Sequence, residues 1–408
     1  MIKNWFKNIG PGPLVAAAFI GPGTVTVCTL AGINFGFALL WAMVLSIVAT
    51  VVLQEMAARL GIISQKGLSE VIRSQISNPF LRTLAIILIL SAIVIGNAAY
   101  EAGNISGSIL GLESLFGSQT IAIGNVSLNL FSILIGIIAF ILLYIGNYKV
   151  LEKTLISLVI LMSLAFLITA VMTKPDWSQV LKGLFVPKFT GDNILTVIAL
   201  VGTTVVPYNL FLHASLVKEK WKNESDLKFA RKDTIIAVVL GGIVSMCIMI
   251  SAAAIKSFEV NNAADLAKGL EPLLGSYASV FLSVGLFSAG ITSAITAPLA
   301  AAYVASGCLG WSSNMKSKRF RLVWVVILTL GVLFSSIGFK SIEIIKFAQV
   351  ANGLLLPVIA AFLLWIMNKT SILGKYKNTW LQNIFGFAIL AIALFLGVKS
   401  ILKVFNFI

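Results

Sequence analysis

Charge is what this chain has least of. Only 11% of its 408 residues are Asp, Glu, Lys or Arg, where a soluble domain carries about a quarter. Acidic residues number 15, and His213 is the only histidine. No HExxH, no Ser-His-Asp arrangement and no phosphate-binding loop occurs, so an enzyme is not expected, and neither is a bound metal or other cofactor. The three cysteines, Cys28, Cys247 and Cys308, lie in or beside different apolar segments without pair spacing. They read as small packing residues and exclude a disulfide framework. The basic stretch Met1 to Gly10 lacks a small-residue cleavage site, which argues against a cleaved signal peptide. Ten-residue alternating segments are missing as well, which excludes a membrane barrel.

What is present is apolar sequence. Hydrophobic residues make up 59% of the chain and the mean hydropathy is +1.01. Runs of about 20 apolar residues span the hydrocarbon core as helices. Eleven segments are expected, at 12–32, 35–60, 81–112, 127–146, 153–173, 193–217, 232–256, 275–308, 321–338, 343–366 and 380–398. The fold class is therefore an all-α integral membrane protein with the lipid bilayer as its partner. The net charge of +15 does not indicate nucleic acid, because the basic residues sit in loops between apolar runs. Lys and Arg crowd the loops near Arg59 to Arg82, Lys218 to Lys232, Lys316 to Arg321 and Lys369 to Lys377. By the positive-inside rule these loops and the N-terminus are cytoplasmic, and eleven spans place the C-terminus outside a prokaryotic inner membrane.

Two segments carry helix breakers deep in apolar sequence: Ile20-Gly21-Pro22-Gly23-Thr24, and Thr203-Thr204-Val205-Val206-Pro207-Tyr208-Asn209. Proline removes a backbone donor, and in lipid a broken backbone survives only where protein or a hydrated cavity satisfies it. Paired interruptions in segments one and six are the pattern of an inverted-repeat transporter with a midplane site. The repeats would be 1–173 and 193–366, with 380–398 as an additional helix.

Several words of sequence resemble the Nramp-type, solute carrier 11-like transporters. They include Gly10-Pro11-Gly12 leading to Gly21-Pro22-Gly23-Thr24, the run Leu53 to Gly61 (LQEMAARLG), Lys174-Pro175-Asp176-Trp177, the run Pro207 to His213 (PYNLFLH), Gln349-Val350 and Leu356-Pro357. The resemblance implies a LeuT-like fold of 5+5 inverted repeats, alternating access, and in the family proton-coupled import of manganese or iron. The first break departs from the family's Asp-Pro-Gly-Asn, with Gly21 and Thr24 at the ends of that word. The second departs from Met-Pro-His-Asn, with Val206 and Tyr208 at its first and third places. Gly21, Gly23, Thr24, Thr203, Thr204, Val206, Tyr208, Asn209 and the retained Gln349 are the expected substrate-binding residues.

Loss of the carboxylate and thioether makes a poor divalent site, since manganese and magnesium favour carboxylates. Half-helix N-termini and neutral donors suit a small monovalent anion instead. The preferred expectation is sodium-coupled uptake of such an anion, bicarbonate foremost. The alternative is an Nramp-type carrier of Mn²⁺, Fe²⁺ or Mg²⁺ with an altered site and proton coupling.

Glu101 is the deepest carboxylate left in the membrane sequence, where a lone charge at helix centre costs about 2.5–3.5 kcal/mol. It matches a family glutamate and, with His213, is the candidate proton pathway should coupling be to protons rather than sodium. Glu55 and Arg59 are spaced for a helix-surface or gate ion pair. In segment eight, Thr292 and Ser293 look like the Thr-Ser pair that holds sodium in LeuT-like folds.

Overall fold

The computed structural model describes residues 10–123, 126–188, 193–254, 275, 277–336 and 355–404. Among them, eight helices are long and apolar enough to cross a membrane, and two bent pairs raise the number to ten. The one expected segment left over, the fourth at 127–146, is helix Leu130–Ile145, 16 residues long. At 1.5 Å per residue it reaches about 24 Å, short of a hydrocarbon core of about 30 Å. The count of eleven is thus not met among the described residues.

The first break falls where the sequence places it. Helix Gly12–Phe19 ends at Ile20, and helix Pro22–Phe35 restarts with Pro22 in its first position. Proline is preorganised for that position, where its missing N–H has no partner to lose. The two halves meet at 54°. The second break is Val205–Val206, between helices Ile194–Thr204 and Pro207–Lys220, again with proline opening the restart. These two halves run on as one 27-residue span, so the interruption frees backbone groups without a large bend.

Helix Tyr277–Leu309 lies at the centre. It touches helices 96–116, 148–172, 318–336, 12–19 and 207–220. Its most apolar stretch is 78% buried, whereas those of Pro79–Phe116 and Trp380–Lys399 are 24% and 28% buried and face outward. Leu81, Leu84, Ile137, Phe140, Leu394 and Phe395 are among the large apolar side chains left exposed. A water-soluble protein could not tolerate that much apolar surface; a bilayer requires it. The chain is therefore a multi-pass membrane protein.

Candidate functional site

Both breaks sit beside the central helix, and their polar side chains are buried. Gly21 caps the restart of helix 22–35 in extended backbone, φ −85° and ψ −178°. A Cβ there would lie 2.5 Å from Ser293 Oγ and 3.8 Å from Asn104 Oδ1. The volume that a side chain at position 21 would need is thus taken by a hydroxyl from helix 277–309.

Across the breaks, Thr24 Oγ1 and Thr203 Oγ1 are 2.7 Å apart, and Thr24 also donates to the Phe19 carbonyl. Tyr208 donates to Ala18 O at 3.1 Å, and its ring meets Tyr100 edge-on at 5.6 Å. Asn209 Nδ2 donates to Val15 O at 2.9 Å. A carbonyl only accepts, so this contact fixes the amide with its nitrogen toward helix 12–19. Asn209 Oδ1 is buried without a partner among the described residues, as is Ser293 Oγ. Thr204 is spent within its own helix, donating to Leu200 O at 3.0 Å. Val206 is fully buried and adds no polar atom, and Gly23 is buried in the first turn of helix 22–35. Gln349 lies outside the described residues.

The sequence reading counted neutral donors, and the structure finds those donors committed. The hydroxyls of Thr24, Thr204 and Tyr208 and the amide of Asn209 all bond protein oxygens. What they leave facing the breaks is acceptor oxygen. The C-terminal ends of helices 12–19 and 194–204 point partial negative charge at the breaks, while the Val15, Ala18 and Phe19 carbonyls already accept from Asn209, Tyr208 and Thr24. Such a lining attracts cations.

Thr292 and Ser293 point to different tasks. Thr292 donates to Ala289 O on its own helix at 2.8 Å, and Ser293 faces Gly21. Glu101 is fully buried and bonded to Asn104 Nδ2 at 3.1 Å, while its other oxygen has no partner among the described residues. Asn104, not expected from the sequence, therefore holds Glu101 through its nitrogen while its oxygen lies 3.8 Å from where a Cβ at position 21 would be. A signal for it was present: Asn97, Glu101, Asn104 and Ser108 recur at helical spacing in an apolar segment, and all four are buried. Asn97 and Ser108 bond carbonyls of the central helix, at Ala297 and Phe287. The other titratable candidate, His213, is fully buried with Nδ1 2.9 Å from Gln54 Oε1. The expected Glu55–Arg59 pair is present at 3.0 Å, and Arg231 joins it at 2.7 Å.

A family model described as natural resistance-associated macrophage protein-like matches residues 12–403. Among curated relatives, the divalent metal cation transporter MntH of Mesorhizobium japonicum is 30% identical over 380 residues, covering 86% of this chain and 80% of the relative. The protein of the same name from Verminephrobacter eiseniae is 27% identical, covering 90% and 83%. A solved manganese transporter of Eremococcus coleocola superposes with a TM-score of 0.79 at 23% identity, covering 98% of this chain and 87% of that one. MhsT bound to L-phenylalanine matches at 0.61 and 17% identity, covering 96% and 98%. The fold is LeuT-like. The expectation of a bicarbonate carrier, with a monovalent anion as partner, is overturned: the relatives are named for divalent metal cations. The physical reason is the direction of the donors, which composition does not reveal.

Proposed function

The chain belongs to the Nramp family, and from that premise we propose that it is a secondary transporter of a divalent metal cation, working by alternating access. The observation that carries the proposal is the Asn209 amide, whose donor is held by Val15 and whose oxygen is left free among buried side chains. Thr24, Thr203, Asn209, Ser293 and Asn104 supply neutral oxygen, and the ion keeps part of its water shell. With no carboxylate at position 21, binding is weak, on the order of 0.1–1 mM, as at calcium sites of low ligand charge. Val206 offers no soft donor, so hard ions such as Mn²⁺ and Mg²⁺ are preferred over thiol-seeking ones.

Glu101, bonded to Asn104 beside position 21, is the proton-coupling carboxylate in this reading. Residues 1–173 and 193–366 form the two repeats that rock against each other, and 380–398 is an addition. The N-terminus is cytoplasmic. A divalent-sensitive dye inside proteoliposomes tests the reading. An inward proton gradient should drive Mn²⁺ influx that Mg²⁺ competes for better than Cd²⁺. Glu101→Gln should abolish the gradient's effect while leaving Mn²⁺ exchange intact. Absence of influx, or stronger competition by Cd²⁺, would overturn it.

A further inference from the structure

Helices 79–90 and Leu355–Met367 present apolar faces to a cleft between them. Leu81, Leu84, Ala85 and Leu88 follow one helical stripe, and Val358, Ala361, Phe362 and Trp365 follow another. Beyond the first of these helices, Gly96 lies against the start of the second: a Cβ there would sit 3.1 Å from Leu355 Cδ1. The cleft has a volume of about 690 Å³ and is lined by both stripes and by Gln75, Ser77 and Asn78. Its walls stay open, with Leu81 52%, Leu84 51% and Trp365 37% exposed.

The mouth is positive. Lys369 Nζ stands 4.9 Å from the centre of the Trp365 ring, which itself lines the cleft. The segments 65–82 and 368–379, which supply the mouth residues Gln75, Ser77, Asn78 and Lys369, carry Lys66, Arg73, Arg82, Lys369, Lys375 and Lys377. Their one acidic residue, Glu70, is engaged by Lys218 at 3.7 Å. Asn78 Oδ1 already satisfies the first N–H groups of helix 79–90, from Phe80 and Leu81. The charge available to a ligand therefore comes from side chains.

We propose that this cleft is a binding site for an anionic phospholipid, with an acyl chain between the two apolar stripes and the headgroup phosphate at Lys369. An apolar slot on the outer surface of a membrane helix accepts a lipid chain, and a basic mouth at the headgroup level selects the charged lipid. Protein segments are poorer occupants, because backbone polar groups entering the slot would be unsatisfied in lipid.

Brominated acyl chains quench tryptophan on contact and provide the probe. The full-length protein is reconstituted with brominated phosphatidylglycerol or brominated phosphatidylcholine, and the Trp365 contribution is taken as the difference from Trp365→Phe. The anionic lipid should quench that contribution at a mole fraction about fivefold lower than the zwitterionic one, the effect of one basic residue at a membrane surface. Lys369→Gln, a surface change, should erase the preference and leave the remaining quenching in place. Ala361→Phe should fill the slot and remove quenching by either lipid. Equal quenching by the two lipids, an unchanged preference in Lys369→Gln, or full quenching in Ala361→Phe would each overturn the site.

Discussion

The middle of the molecule and one end of its bundle handle polar groups in opposite ways. At the breaks, Thr24, Thr203, Asn209 and Ser293 are neutral, and the nearest carboxylate stands one amide away. At the end where helices 40–64, 227–252 and 380–399 meet, charge is concentrated and paired. Arg59 is almost fully buried and donates to Glu55, Asn378, Gln382 and the Tyr376 carbonyl. Asp233 accepts from the backbone N–H groups of Gly10 and Gly12, at 3.0 and 2.7 Å, fastening helix 12–19 at its start. Fixed charges with fixed partners hold elements in place. Unpartnered neutral oxygens, at Asn209 and Ser293, hold nothing in place and are free for the cation of the proposed function.

Removing Glu55 should have the largest effect on this contrast. Glu55→Ala leaves Arg59 a buried cation without its counter-charge, so stability should fall by about 3–5 kcal/mol. Thermal unfolding of the purified protein in detergent measures it; a loss under 1 kcal/mol would show that the three neutral acceptors suffice. Asp233→Ala comes next. It strips the acceptor from two backbone donors, and the expected cost is about 1–3 kcal/mol. Helix 12–19 should then loosen at its start, read as faster labelling of a cysteine placed at Val15.

The breaks call for a paired change. Gly21→Asp alone drives a side chain into Ser293 and should lower stability. Gly21→Asp with Ser293→Gly makes room for the carboxylate and should tighten Mn²⁺ binding at least about tenfold, which is about 1.4 kcal/mol. Titration calorimetry compares the double variant with the parent; equal affinity would mean that the ion does not visit position 21. The smallest effect belongs to Arg231→Ala. Its side chain is 43% exposed, and exposed pairs contribute about 0–1 kcal/mol.

Much of this was legible before any coordinates. Pro22 and Pro207 mark the two restarts to the residue, because proline at the first position of a helix is both a break and a beginning. Among the described residues the long apolar runs located the helices to within several residues; 343–354 of the tenth expected run lies outside them. Direction was not legible. Nothing in the word Tyr208-Asn209 says that both side chains turn their donors onto helix 12–19, or that Thr292 closes on its own helix while Ser293 fills the space beside Gly21. Such facts depend on which helix lies opposite, and that is settled by packing. The segment expected at 127–146 is a helix from Leu130 to Ile145; its first residues pair instead as strand Val126–Asn129 with Thr120–Ile123, a pairing that an apolar run alone does not announce.

In the proposed function, a free neutral oxygen at the second break holds the transported cation. The most direct measurement is Mn²⁺ uptake into proteoliposomes by Asn209→Ala beside Thr204→Ala, with both variants matched for folded protein. Asn209 presents its unpartnered oxygen, whereas the Thr204 hydroxyl is spent on Leu200. Uptake should fall at least about tenfold in Asn209→Ala, the loss of one hydrogen-bond-strength contact to a charged group, and stay within about twofold in Thr204→Ala. Equal uptake by the two variants would contradict the account.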